Sequence, residues 1–406
     1  MPRPEVPARS RLGRLDALRG VAAVIVLVHH VSMTLPQIAT AYESSAGVVL
    51  FSVGWWATLS PLKVLVAGPE FVLVFFVLSG FVLVRSPLAA RQANTSYDWG
   101  AYYPRRIIRL AAPVLVSLAL AIIWIVLVPR TVGAADGPWL ARQDTPDLAL
   151  GNLLQEASII GETQRPDINP PLWSLAWEMW FSLLLPVFVV IAALSRRPAI
   201  APVGRVLAWA AFWCAIASVG YVTATQPLMY LPPFALGALL AANYDELQRS
   251  SELLLASARG RVIGWAVAAL GPFLLVIYWM LRPLTSGVWS EVTLSMRVTG
   301  AFVIVATVAF WPTKAPRRQT PSRTGRLLAW FGSISFSLYL VHFPIVVAFA
   351  LLAGQGRWWL GALVSVPLSL VLAQLMTRWV ERPAQALGRR VGASVSKRMP
   401  APASRR

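Results

Sequence analysis

Charge is scarce in this chain. Of its 406 residues only 13% are charged, while 57% are hydrophobic. A soluble domain carries about a quarter charged residues. That composition excludes an ordinary soluble globule and implies a polytopic membrane protein. Cysteine is almost absent. Cys214 stands alone, which excludes an internal disulfide framework and a cysteine-based metal site. Histidine is limited to His29, His30 and His342, and lysine to Lys63, Lys314 and Lys397. Arginine supplies the rest of a net charge of +19. So basic a chain invites a nucleic-acid partner, but the many apolar runs near twenty residues long exclude one. No metal is expected.

No secretory leader is expected either. Arg3, Arg9, Arg11 and Arg14 precede an apolar stretch, as in a signal peptide. The uninterrupted core 21–28 ends in two histidines, however, and no small-x-small cleavage site follows closely. The stretch reads as an uncleaved first span.

What is present is a series of ten apolar runs: roughly 15–35, 70–88, 109–129, 171–194, 204–223, 228–243, 261–281, 296–312, 332–353 and 358–380. The expected fold class is an all-α polytopic membrane protein, a bundle of about ten transmembrane helices with both termini cytoplasmic. The run 46–67 is broken by Pro61 and Lys63 and reads as interfacial or re-entrant. With the N-terminus inside, the outer side receives Lys63, Arg130, Arg142, Arg165, Arg282, Arg297 and Arg357. The other basic residues fall inside or near the inner surface, as the positive-inside rule requires. Residues 1–11 form an inner tail, 12–384 the transmembrane domain, and 385–406 a basic tail expected to be disordered. The bacterial cytoplasmic membrane is the expected location. The excess of arginine over lysine suggests a high-GC bacterium.

Several polar groups sit where hydrocarbon rejects them, and such groups usually face the bundle interior and mark a functional path. Arg19 and His30 are eleven residues apart. On a helix that places them within about 20° of one face and about 16 Å apart along the axis. Asp16, three residues before Arg19, can pair with it. The plain structural reading of Asp16 and Arg19 is an anchor at the inner surface. One of His29 and His30 is expected to be only structural. Glu178, among Trp173, Trp177 and Trp180, lies about two turns into its span. An aromatic belt explains the tryptophans but not the carboxylate. Its inferred depth matches that of His30, so a Glu–His pair is allowed, and a carboxylate orienting an imidazole supports a general base. His342 follows Ser333, Ser335, Ser337 and Tyr339 near mid-membrane. For the serines, interhelical hydrogen bonding is the simpler reading. Arg106 and Arg109 share a helix face at the inner mouth of the third span, a fork suited to phosphate or to simple positive-inside charge. Ser79-Gly80 permits close helix approach.

"RLDALRG" with the Arg19–His30 spacing, "FFVLSGFVL", "RRIIR", "PPLWSLAWEMWF", "SISFSLYLVHFP" and "VERP" occur in that order from about residue 12 to 384. In this the chain resembles the acyltransferase-3 family of integral-membrane O-acyltransferases. The resemblance implies transfer of an acyl group, usually acetyl, from acyl-coenzyme A to a sugar hydroxyl on a surface glycan, glycolipid or macrolide-type metabolite. It implies a catalytic role for His30, an arginine pair at Arg106 and Arg109, and an acidic position at Glu178. Some family members carry a C-terminal hydrolase-like domain. The chain resembles the stand-alone branch, which leaves room for a separate extracytoplasmic transferase partner.

The resulting expectation is that His30, supported by Glu178 or His342, activates the hydroxyl or carries the acyl group. Arg105, Arg106 and Arg109 hold the coenzyme A phosphates, and Arg19 with Asp16 lines the entry. Tyr339, Ser79, Trp173 and Ser174 complete the polar network. Acetyl-CoA is then a cosubstrate, and no cofactor is permanently bound. The competing reading is a transporter or flippase using the same groups. A membrane scaffold or sensor would not explain three intramembrane histidines.

Overall fold

The computed structural model describes residues 8–398 apart from 131, 134–135, 144–145, 162–165, 197–200, 313–321 and 355, with side chains from residue 13. The described residues are helical with no strand. In chain order the helices are α1 (Ala8–Met33), α2 (Pro36–Glu43), α3 (Val53–Thr58), α4 (Gly68–Gln92), α5 (Trp99–Leu127), α6 (Pro138–Ala141), α7 (Leu150–Ser158), α8 (Leu172–Leu183), α9 (Leu185–Leu194), α10 (Pro202–Val222), α11 (Gln226–Ala242), α12 (Tyr244–Ala256), α13 (Ala258–Leu281), α14 (Gly287–Phe310), α15 (Arg323–Ala353), α16 (Trp358–Met376) and α17 (Arg382–Arg398). A 3₁₀ turn, Pro61–Val66, precedes α4, and a π-helical turn, Thr377–Glu381, joins α16 to α17.

This is an all-α polytopic membrane protein. Eight described helices are long and apolar enough to cross a bilayer, and the bent pair α8–α9 makes a ninth. The expected run 171–194 falls on this pair, which is bent by 67°, as in a broken span or a re-entrant loop. Pro186, second in α9, cannot donate to the turn before it, which favours the break there. The expected span 228–243 is α11, with 17 residues and shorter than the others. Apolar residues cover the outward faces, among them Leu207, Val262, Trp265, Leu363 and Val371. In water such faces would be an aggregation hazard; in lipid they are the expected surface.

The chain divides into two compact units. One holds residues 1–29, 40–85 and 187–335. In it α13 packs along α14, and α10 lies against α11 and α14. Close approach depends on glycine at two crossings. A Cβ on Gly80 would lie 2.0 Å from the Phe234 carbonyl oxygen, and one on Gly237 1.9 Å from that of Val77. Thus Ser79-Gly80 does mark a tight α4–α11 contact. The start of α1 meets α15 in the same way, with Gly20 against Gly332. The segment expected to be interfacial contains α3 and the 3₁₀ turn, and it exposes Val49, Leu50, Phe51, Val53 and Leu65.

The other unit holds residues 30–39, 86–186 and 336–406. Here the expectation of a disordered tail from residue 385 is corrected. Residues up to Arg398 form α17, which lies along the first half of α5. Gly388 and Gly392 bring its backbone close to Arg105 and Ala101. Ser396 hydrogen-bonds Asp98, the residue that caps α5 through the Ala101 N–H. Small residues in a helical stripe created an apolar face that composition alone concealed. Residues 399–406 and 1–7 lie outside the described residues.

Candidate functional site

Polar side chains converge inside the second unit. His30, near the end of α1, places Nδ1 3.0 Å from Nε2 of His342 in α15. His342 is buried, and its Nδ1 is 2.9 Å from the Leu338 carbonyl oxygen. Phe343 meets the His30 ring edge-on at 5.0 Å between centroids, and Trp139 of α6 lies at 6.1 Å. These rings limit how the imidazole can turn. Beside His342, at 5.9 Å between rings, stands Tyr339. Its hydroxyl is 2.7 Å from Ser174 Oγ and 3.1 Å from the Pro171 carbonyl oxygen.

Glu178 is close enough to Tyr339 for its charge to act on that hydroxyl. It forms an ion pair with Arg106, whose Nε also donates to Ser182 Oγ at 2.9 Å. That contact places Glu178 beside the second turn of α5. The depth inference assumed that the span opens at the membrane surface. In fact α8 starts within the protein. Ile168 and Asn169 are buried, and Asn169 donates from Nδ2 to Ser117 Oγ and to the Leu340 carbonyl oxygen. Glu156, at the end of α7, accepts the backbone N–H groups of Ile168 and Asn169. Burial pushes its carboxyl group up, and these two donors pull it back. A non-helical chain can be buried here because its amides are satisfied.

The arginines differ in their surroundings. Arg106 is buried and bound to Glu178, so it is not presented as an open fork. Arg105 is partly buried, with Nε donating to the Ala101 carbonyl oxygen. Arg109 is exposed and close enough to Glu381 for the two charges to interact. Glu381 itself, in the π turn, accepts from Ser337 Oγ at 2.9 Å. Trp173 is partly buried on α8.

The remaining expected residues lie in the first unit. Arg19 and Asp16 are 3.9 Å apart and partly exposed, as their spacing predicts. Ser79 is buried at the α4–α11 contact. His29 packs against the 3₁₀ turn before α4. It is buried, with Nδ1 2.8 Å from the Val66 carbonyl oxygen, and a side chain on Gly68 would strike its ring.

Sequence reasoning missed one cluster in this unit. Arg297 is not at a span edge but eleven residues into α14. Ser290, Glu291, Thr293 and Ser295 had masked the helix start. Arg297 bonds the Tyr221 hydroxyl and lies 3.8 Å from buried Glu70. Glu70 accepts from Trp279 Nε1 at 2.9 Å. Lys63 is 1% exposed, with Nζ over the rings of Tyr42 (4.8 Å) and Trp279 (4.6 Å). Burial lowers Lys63 to about 8, opposed by the Glu70 charge. A lysine interrupting an apolar run was the available signal. Among the described residues, no three His, Cys, Asp or Glu side chains are grouped to hold a metal.

A family model described as "Acyltransferase domain" matches residues 12–378. The chain belongs to the acyltransferase-3 family. This membership spans all the residues above apart from Glu381 and α17. The family member is also 23% identical over 337 residues to "Putative peptidoglycan O-acetyltransferase YrhL" of Bacillus subtilis (strain 168). That alignment covers 78% of this chain and 50% of the relative, so the chain spans about half the length of the curated relative it matches. No solved structure matches it.

Proposed function

We propose that this protein transfers an acyl group, acetyl foremost, from acyl-coenzyme A to a carbohydrate hydroxyl, and that peptidoglycan is the acceptor to test first. The observation that carries the reading is the His30–His342 hydrogen bond within an apolar bundle. Family membership and the name of the Bacillus subtilis relative support it. A thioester is already activated. The protein needs mainly to deprotonate the hydroxyl and to stabilise the oxyanion that follows. Imidazole suits that base role near neutral pH.

In this reading His30 takes the hydroxyl proton as the oxygen attacks the thioester carbonyl. The carbon–sulfur bond then breaks, and the coenzyme A sulfur leaves with that proton. Arg105 and Arg109 meet the phosphates, while Arg106 and Glu178 brace α5 against α8. The protein sits in the bacterial cytoplasmic membrane with both termini inside; the distribution of arginine supports that orientation.

The test is purified full-length protein in lipid nanodiscs with radiolabelled acetyl-CoA and oligosaccharide fragments of peptidoglycan. Label should move to the oligosaccharide. His30→Ala should reduce transfer at least about a hundredfold while the protein still purifies from membranes. Undiminished transfer by His30→Ala would overturn the role of His30, and uptake of label into proteoliposomes without covalent labelling would favour a transporter.

A further inference from the structure

Two imidazoles face each other in the candidate site, and the backbone decides how their hydrogens are arranged. His342 Nδ1 lies 2.9 Å from the Leu338 carbonyl oxygen, one turn earlier in α15. A carbonyl only accepts, so Nδ1 of His342 carries a hydrogen, and in the neutral ring the lone pair is then at Nε2. That atom is 3.0 Å from Nδ1 of His30. Ring nitrogens in contact share one hydrogen, so His30 Nδ1 donates it. The lone pair of a neutral His30 is thereby placed at Nε2.

We propose that His342 is a positioning residue that fixes the tautomer of His30, through the series Leu338 carbonyl, His342, His30, and so makes Nε2 of His30 the base. The inference rests on the acyl-transfer reading above and assigns its working atom. Imidazole in water ordinarily prefers its hydrogen at Nε2. A His30 without His342 reverts to that form and presents a donor where an acceptor is needed. In serine proteases, loss of the residue that holds the tautomer costs about 10⁴ in turnover.

The same contact acts later in the reaction. When Nε2 takes the hydroxyl proton, the ring becomes an imidazolium. Its Nδ1–H then makes a charge-assisted bond to His342 Nε2, stronger than the neutral one. The proton on Nε2 leaves with the coenzyme A sulfur as the carbon–sulfur bond breaks, and His30 returns to its starting tautomer. Nothing is consumed beyond the thioester and the hydroxyl. The packing of Phe343 against His30 keeps the ring plane in place while charge appears and disappears.

The chain has only three histidines, so ring-15N histidine labelling of the full-length protein in nanodiscs gives a readable spectrum. His30→Ala assigns its signals. The resting protein should show His30 with hydrogen on Nδ1 and none on Nε2. His342→Gln places an amide oxygen near the former Nε2 and still accepts from His30. It should keep that tautomer and stay within about tenfold of the original turnover. His342→Met fills similar space but accepts only weakly. It should move the hydrogen to Nε2 and lower kcat about a hundredfold, with KM for acetyl-CoA little changed.

A resting His30 with its hydrogen on Nε2 overturns the inference, and so does a His342→Met variant as active as His342→Gln. Should His342→Met fail to fold, the spectrum of the unmodified protein still decides. Activity retained in His30→Ala would sink the base assignment instead, whatever tautomer is seen.

Discussion

Removing the Glu178 carboxylate tests whether that residue works by chemistry or by bracing. In Glu178→Ala the Arg106 guanidinium keeps Ser182 Oγ but loses its counter-charge. Breaking a buried ion pair from one side costs about 3–5 kcal/mol. The Arg106 side chain is 7% exposed and that of Glu178 22%. Water can reach part of the site, so the lower end applies, about 3 kcal/mol. Arg106→Ala strands the better-hydrated partner and should cost about 2 kcal/mol. Independent effects would give about 5 kcal/mol for the double variant. A true pair predicts about 3, hence a coupling of about 2 kcal/mol. Equilibrium unfolding in mixed micelles of mild detergent and SDS, followed by tryptophan fluorescence, reads all three values. The double variant should also recover transfer activity lost by Glu178→Ala. Additive destabilisation, or a double variant less active than either single one, would refute the bracing argument.

Two further outcomes follow from the first unit. An added Cβ at Gly80 or Gly237 meets carbonyl oxygen at 2.0 and 1.9 Å, so Gly80→Ala and Gly237→Ala should each cost about 1–3 kcal/mol in the same unfolding assay; wild-type stability would mean that α4 and α11 do not touch there. Lys63 has an ordinary value of 10.5 and is lowered by burial to about 8. Between those pH values the unfolded chain holds more protons than the folded one, so stability should rise with pH across that window. Lys63→Met should flatten the slope, and a slope unchanged by that substitution would argue against the buried ammonium.

The helical architecture was legible in the sequence because lipid imposes a length on each apolar run, and Arg19 with Asp16 follows from spacing along one helix. Helix ends were less legible. Polar residues at the start of α14 disguised Arg297 as an edge residue, and a stripe of Ala and Gly disguised α17 as a tail. His30, His342 and Glu178 were singled out as polar groups placed where lipid is hostile, and Arg106 and Arg109 as a fork at the inner mouth of a span. For His30 the pairing was left open between Glu178 and His342, and the Arg106–Glu178 pair was not foreseen. A Glu–His pair seemed open because depth was counted from the end of an apolar run.

The sequence by itself determined that this is a membrane bundle of the acyltransferase-3 family, which side chains hydrocarbon would reject, and which short motifs carry them. Only the tertiary structure decided that His30 meets His342, that Glu178 meets Arg106, and that Lys63 lies on two aromatic rings near Glu70. The reason is physical. Hydrophobicity is a property of each segment and can be summed along the chain. Pairing depends on the rotation and depth of two helices together, and neither is written in the hydrophobicity of one segment.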